Sequence, residues 1–186
     1  MIVLDSNVIS EVMRPQPHRA AAAWLDEQSM QTLYLTAITL AEVRYGIAAL
    51  PRGKRRDRLA GLFESRLLPH FAERILVFDD EASASYAQLA ADARRRGTTI
   101  GMADGFIAAT ALVHGFAVAT RDIEPFAATG VRVINPFQDN ALTSGSATGS
   151  ATSNRDIRSP PDSRLTRRVL RSDTSGHVRE QVSRQA

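Results

Sequence analysis

The sequence contains no cysteine. Disulfides, thiolate metal sites and a cysteine nucleophile are therefore excluded, which fits a reducing compartment. Lysine is almost absent, Lys54 being the only one, and aromatics are 6% of the chain with none after Phe137. No apolar run approaches the roughly 20 residues of a membrane span. The N-terminus lacks the basic segment and apolar stretch of a secretory signal. No GxGxxG stretch supports dinucleotide binding, and there is no internal repeat. A soluble cytoplasmic protein, free of membrane, is the expectation.

What is present is enough for a core: 44% of the 186 residues are hydrophobic. The formal net charge of +3 is unevenly placed. Residues 1–139 hold 15 Lys and Arg against 16 acids, whereas residues 140–186 hold 8 arginines against 4 acids. The basic balance belongs to the tail, so only local clusters in the remainder can bear on nucleic-acid binding. From about 139 the chain is rich in Ser, Thr, Gly and Arg. It cannot bury enough apolar surface to offset the entropy of ordering, so 139–186 reads as a disordered tail.

Residues 1–138 alternate between strand and helix signals. Strands are expected at 2–4, 34–36, 74–78, 116–119 and 131–134. Helices are expected at 18–28, 39–50, 54–68, 79–96 and 102–114, with Thr36 or Thr39 as a cap and breaks at Pro51, Gly53, Gly97 and Gly115. Repeated strand, helix, strand order implies a mostly parallel sheet between helical layers, an α/β/α sandwich. Ligand sites in such sheets lie beyond the carboxyl ends of the strands.

Four acids interrupt apolar surroundings. Asp5 ends the first strand in VLDSNVIS. Glu42 lies in AITLAEVRYG, Asp104 in ADGFIAAT and Asp122 in ATRDIEPF. Each has an ordinary explanation: a strand-to-helix cap for Asp5 with Asn7, first-turn acids for Glu42 and Asp104, a turn or an Arg121 pair for Asp122. Four carboxylates converging on one sheet edge would repel one another unless a cation sat among them. Mg²⁺, with Mn²⁺ as the alternative, suits such oxygen ligands. It polarises a phosphoryl oxygen and lowers the pKa of an attacking water, the chemistry of phosphodiester hydrolysis.

Taken as an ordered set, these four segments resemble the PIN-domain ribonucleases. The resemblance spans about residues 1–138 and is nearest to VapC-type toxins of type II toxin–antitoxin systems, in the FitB-like subgroup. It implies a three-layer PIN-like fold, a Mg²⁺-dependent endoribonuclease activity, and an acidic tetrad of Asp5, Glu42, Asp104 and Asp122. Asp5 and Asp104 would be direct metal ligands, with Glu42 and Asp122 acting partly through water. Asn7 and Thr120 would support the carboxylates by hydrogen bonds. The resemblance further implies a cognate antitoxin, operator DNA bound through the toxin–antitoxin complex, and a homodimer.

The cluster RGKRRDR offers Arg52, Lys54, Arg55 and Arg56 as contacts for RNA phosphates, or else a solvated helix face. Arg94 to Arg96 fit the C-terminal dipole of a helix. His18, His70, His114 and His177 are scattered, and His114 beside Gly115 reads as a helix end. Two other readings compete. A haloacid-dehalogenase-like phosphatase would use Asp5 as nucleophile but needs an acid where Asn7 stands. A non-catalytic metal-binding subunit of a DNA complex would have the same pocket without turnover.

Overall fold

The pleat of the first strand divides the core in two. In β1 (Ile2–Leu4), Ile2 and Leu4 enter one apolar cluster and Val3 the other. The computed structural model describes residues 1–138. The expected tail at 139–186 lies outside the described residues.

Chain order is β1, α1 (Ser6–Val12), α2 (Arg19–Glu27), β2 (Leu33–Thr36), α3 (Ala37–Ala48), α4 (Lys54–Gly61), β3 (Ile75–Leu76), α5 (Asp80–Arg95), α6 (Met102–Val113), β4 (Ala117–Ala119), α7 (Glu124–Ala127) and β5 (Val133–Ile134). The five strands pair in the order β3-β2-β1-β4-β5 and every pairing is parallel. One face is covered by α1 to α4 and the segment after α4, whose Val8, Ile9, Leu25, Leu40 and Phe63 pack on Leu33 and Leu35. The other is covered by α5 and α6, where Leu89 and Ile107 meet Val118 and Phe126. This is the three-layer α/β/α arrangement that the alternating signals imply. No helix among the described residues is long and apolar enough to cross a membrane.

The departures from expectation have local causes. The α1 helix directly follows β1, and its apolar positions Val8, Ile9 and Val12 are too few to show a period in the sequence. The helix expected over 54–68 regularly hydrogen-bonds only to Gly61. It then widens into a π-helical segment, Leu62–Leu67, and tightens into a 3-10 turn, Leu68–Phe71. Pro69 cannot donate a backbone hydrogen bond, which interrupts the regular helical pattern there. The irregular winding keeps Phe63, Leu67 and Phe71 buried. The strand expected over 74–78 is regular only at Ile75–Leu76, and the one expected over 131–134 only at Val133–Ile134. Phe78 leaves the sheet edge to pack on Phe106, ring centroids 4.4 Å apart. The short α7, begun by Pro125, has no apolar period to announce it.

Candidate active site

The strand order reverses between β1 and β4, and the chain leaves the carboxyl ends of both strands at the same place. That crevice is where open parallel sheets bind ligands. Asp5 follows β1, and Thr120 and Asp122 follow β4. The Asp5 backbone N–H donates to the Ala119 carbonyl at 3.0 Å, which fixes the two strand ends side by side.

Asp5 is only 4% exposed. It is also the N-cap of α1, its Oδ1 accepting from the Ser6 backbone N–H at 2.6 Å. Its Oδ2 accepts from Asn7 Nδ2 and from Thr120 Oγ1, each at 2.7 Å. Asn7 Nδ2 also lies 2.9 Å from Thr120 Oγ1 and 3.5 Å from Asp122 Oδ2, and Asn7 Oδ1 accepts from the Arg121 backbone at 3.2 Å. Thr120 Oγ1 in turn accepts from the Asp122 backbone N–H at 3.0 Å. Asn7 and Thr120 thus join Asp5 to Asp122 in one hydrogen-bonded group.

Glu42 comes from α3. Thr36 caps that helix, its Oγ1 accepting from the Thr39 backbone at 3.0 Å, and Thr39 Oγ1 donates to the Leu4 carbonyl at 3.3 Å. This pins the start of α3 to the end of β1, and Glu42 stands one turn farther along. Asp104 lies in the first turn of α6, where a carboxylate favours the helix dipole.

The four acids feel one another. Burial raises the pKa of Asp5, and Asp122 adds to the rise, against hydrogen bonds from Thr120 and Ser6 that lower it. Burial also raises Glu42. Its Ser6 hydrogen bond opposes that, while the charges of Asp5 and Asp104 reinforce it. Asp104 is raised by burial, then by Asp5 and Asp122. Mutual repulsion among partly desolvated carboxylates is the physical condition that a bound cation relieves.

The donor set fits a hard divalent cation. It is entirely oxygen, and Glu42 Oε2 is buried with no hydrogen-bond partner. Among the described residues no three acidic or imidazole side chains close into a ready-made cage. Mg²⁺ does not require one, since it typically takes one or two carboxylates and keeps several waters.

A family model described as the PIN domain matches residues 2–131. This chain belongs to the PIN-domain family. It is 56% identical over 138 residues to the VapC ribonuclease Y4jK of Sinorhizobium fredii, covering 74% of this chain and 99% of that protein. It is 50% identical over 139 residues to the toxin FitB of Neisseria gonorrhoeae, covering 75% of this chain and all of that protein. A solved structure of FitAB bound to the IR36 DNA fragment superposes with a TM-score of 0.71 at 49% identity, over 74% of this chain and 96% of that one.

Within this PIN domain several residues matter that the sequence did not single out. Glu11 is buried, and its Oε1 accepts from the His18 backbone at 2.8 Å while its Oε2 pairs with Arg121 at 2.7 Å. Arg121 therefore pairs with Glu11, whereas a partnership with Asp122 had been the simple reading. Its guanidinium also sits 4.0 Å from the Phe137 ring centroid. The result is a clamp holding the 120–122 turn against α1. Burial pushes the Glu11 pKa up, but the His18 backbone, the Arg121 hydrogen bond and the charges of Arg14 and Arg121 outweigh it, and the net shift is downward.

Gly101 is a second omission. A Cβ there would stand 2.8 Å from Asp104 Oδ2, so the side chain of Asp104 folds back over a position that only glycine leaves open. A buried acid inside VISEVM and a glycine three residues before Asp104 were the available signals. His114 ends α6, Nδ1 lying 3.0 Å from the Thr110 carbonyl, the helix-end role its position suggested. Arg52, Lys54, Arg55 and Arg56 surround the start of α4.

Proposed function

We propose that this PIN domain is a Mg²⁺-dependent endoribonuclease, the toxin of a type II toxin–antitoxin module. The observation that carries the reading is the group built on Asp5: a buried carboxylate, tied through Asn7 and Thr120 to Asp122 and charge-coupled to Glu42 and Asp104. A purely structural cap needs one acid, whereas here Asp5, Glu42 and Asp104 are each raised by burial and then by a neighbouring carboxylate.

Asp5 and Asp104 would hold the metal directly, and Glu42 and Asp122 would complete its surroundings through water. Bound Mg²⁺, or Mn²⁺ in its place, supplies phosphoryl polarisation and an acidified water. Asn7 and Thr120 fix the orientation of Asp5, so that its Oδ2 is not free to rotate away. Glu42, with one oxygen unpartnered and its proton affinity raised, orients the attacking water and accepts its proton. As the water oxygen bonds to phosphorus the bond to the ribose oxygen breaks, and that oxygen leaves with a proton taken from solvent. Arg52, Lys54, Arg55 and Arg56 attract the phosphates of the strand.

The relatives named as VapC ribonuclease and toxin FitB support both the chemistry and the role. The FitAB–DNA structure supports a cognate antitoxin and operator DNA bound by the resulting complex. A homodimer and a cytoplasmic setting belong to the same reading. The test is cleavage of total cellular RNA by antitoxin-free protein with Mg²⁺ or Mn²⁺, comparing wild type with Asp5→Asn. The variant is expected to lose about 100-fold or more in rate. Equal cleavage by a folded variant would reject the mechanism, and a wild type inert on every RNA would favour a binding subunit.

A further inference from the structure

Beside the acids lies a cavity that the cleavage chemistry does not use. It measures about 250 Å³ and is lined by Ser6, Ser10 and Met13 of α1, Gly46 and Ile47 of α3, and Leu59 of α4. Glu42 forms part of its wall, so the cavity and the acid cluster are continuous. We infer that this cavity is a base-binding subsite, holding the nucleobase next to the scissile phosphate and setting the base preference of cleavage. The inference rests on the ribonuclease reading above and extends it from the phosphodiester to the nucleotide beside it.

Gly46 is the first argument. A mid-helix glycine is the least favourable ordinary choice after proline. Here no close packing within the chain accounts for it: a Cβ at Gly46 would meet nothing within 4 Å. The room above Gly46 is open, and Gly46 lines the cavity. Its size is the second argument. Pockets for drug-sized ligands run from roughly 300 to 1,000 Å³, so this one suits a single ring system. Its lining is the third. Met13, Ile47 and Leu59 give a base apolar contact on its faces, the Ser10 hydroxyl can donate to or accept from its edge, and the Ser6 hydroxyl, which donates to the acids, can accept. With no aromatic among these residues, recognition falls to shape and hydroxyls rather than stacking.

Charge favours a nucleic-acid strand over a protein side chain as the occupant. Leu59 lies on the same helix as Lys54, about 7.5 Å along the axis. The first turn of α4 has no side-chain cap, and exposed Arg52, Lys54 and Arg55 crowd it against a single acid, Asp57. Cations at a helix N-terminus oppose its dipole, and a phosphate there satisfies both the dipole and the cations. A bidentate Arg44–Glu64 pair, at 2.8 and 3.0 Å, ties α3 to the segment after α4 and holds the walls at their spacing. A strand with its phosphate among the acids, its base in the cavity and its next phosphate at α4 matches the charge at each point.

The test uses short RNAs with a single abasic position walked along either side of a mapped cleavage site. Wild type is expected to lose about tenfold or more in kcat/KM at one flanking position. Gly46→Leu, which fills the cavity from a better helix former, is expected to cut intact RNA as slowly as wild type cuts the abasic one. It should be indifferent to the abasic position. Ser10→Ala, at an exposed residue, is expected to reorder the four bases at that position. Wild type that cuts RNA yet ignores every abasic position overturns the subsite, as does Gly46→Leu with undiminished cleavage. If Gly46→Leu cuts normally but no longer binds its antitoxin, the cavity takes a protein side chain and the proposal is wrong. A wild type that cuts no RNA fails the ribonuclease reading itself, an outcome visible before any variant is made.

Discussion

At the scale of single residues, Asp5 combines two tasks. It caps α1 and presents an oxygen to the acid cluster, so its geometry is fixed by the fold before any ligand arrives. Glu42 carries the opposite balance: it has an unpartnered buried oxygen and two neighbouring charges that raise its pKa. Glu42→Gln is therefore expected to raise the metal-free melting temperature by about 3 °C, near 1 kcal/mol in a chain of this size. The same change should lower RNA cleavage by about 100-fold. Differential scanning calorimetry with and without Mg²⁺ checks both the repulsion and its relief. Addition of Mg²⁺ should stabilise wild type more than the variant. Gly101→Ala makes a complementary case. The new methyl group would meet the flexible end of Asp104, so the carboxylate turns aside at little cost to the fold. Activity should fall by about tenfold or more while the melting temperature moves by less than about 2 °C.

At the scale of elements, much was readable in advance. Short apolar runs announced the strands, which are buried on both faces of a parallel sheet, and period-3.6 patterns announced the longer helices, which bury one face. The elements that escaped, α1 and α7, are too short to show a period and owe their form to tertiary contacts. The four acids were legible because each breaks an apolar stretch. The Glu11–Arg121 clamp was not, since a pair 110 residues apart leaves no local pattern. That clamp joins α1 to the turn after β4, and it makes a pH-dependent prediction. The folded-state pKa of Glu11 is depressed, so its contribution to stability is present above the ordinary carboxylate range. It is lost as pH falls through the lowered value. Glu11→Gln should cost about 1–3 kcal/mol near neutral pH and flatten the acid limb of the melting profile. Cleavage should fall with it, because the 120–122 turn loses its tether. Unchanged acid unfolding would show that the pair is idle. Between α5 and α6, Gly105 lies against Tyr86, and a Cβ there would stand 2.7 Å from the ring. Gly105→Ala should destabilise the protein by about 1–3 kcal/mol through overpacking, measured by urea titration.

At the scale of the whole molecule, we propose that residues 1–138 are a self-sufficient unit. A chain ending at Gln138 should melt at the same temperature and cut RNA with the same salt dependence as the full protein. A chain ending at Asn135 loses Phe137, and with it the ring over Arg121 and the contact with His18. It should be less stable by about 1–2 kcal/mol. A salt slope that falls on truncation at Gln138 would instead give the tail arginines a place on the RNA.

The parallel sheet also bears on when the protein becomes active during its synthesis. Its central strand is the first to be made, yet the Asp5–Thr120 hydrogen bond joins residues 115 apart in sequence. At bacterial or eukaryotic elongation rates the ribosome needs about 6–23 s to cover that distance. Until β4 inserts beside β1, Asp5 has neither Thr120 nor Asp122, and the nascent chain holds half a site. Pairing at such separation is slow to nucleate. A ribosome that stalls or aborts before β4 therefore releases a fragment whose acid cluster is incomplete. The site exists only in a finished domain.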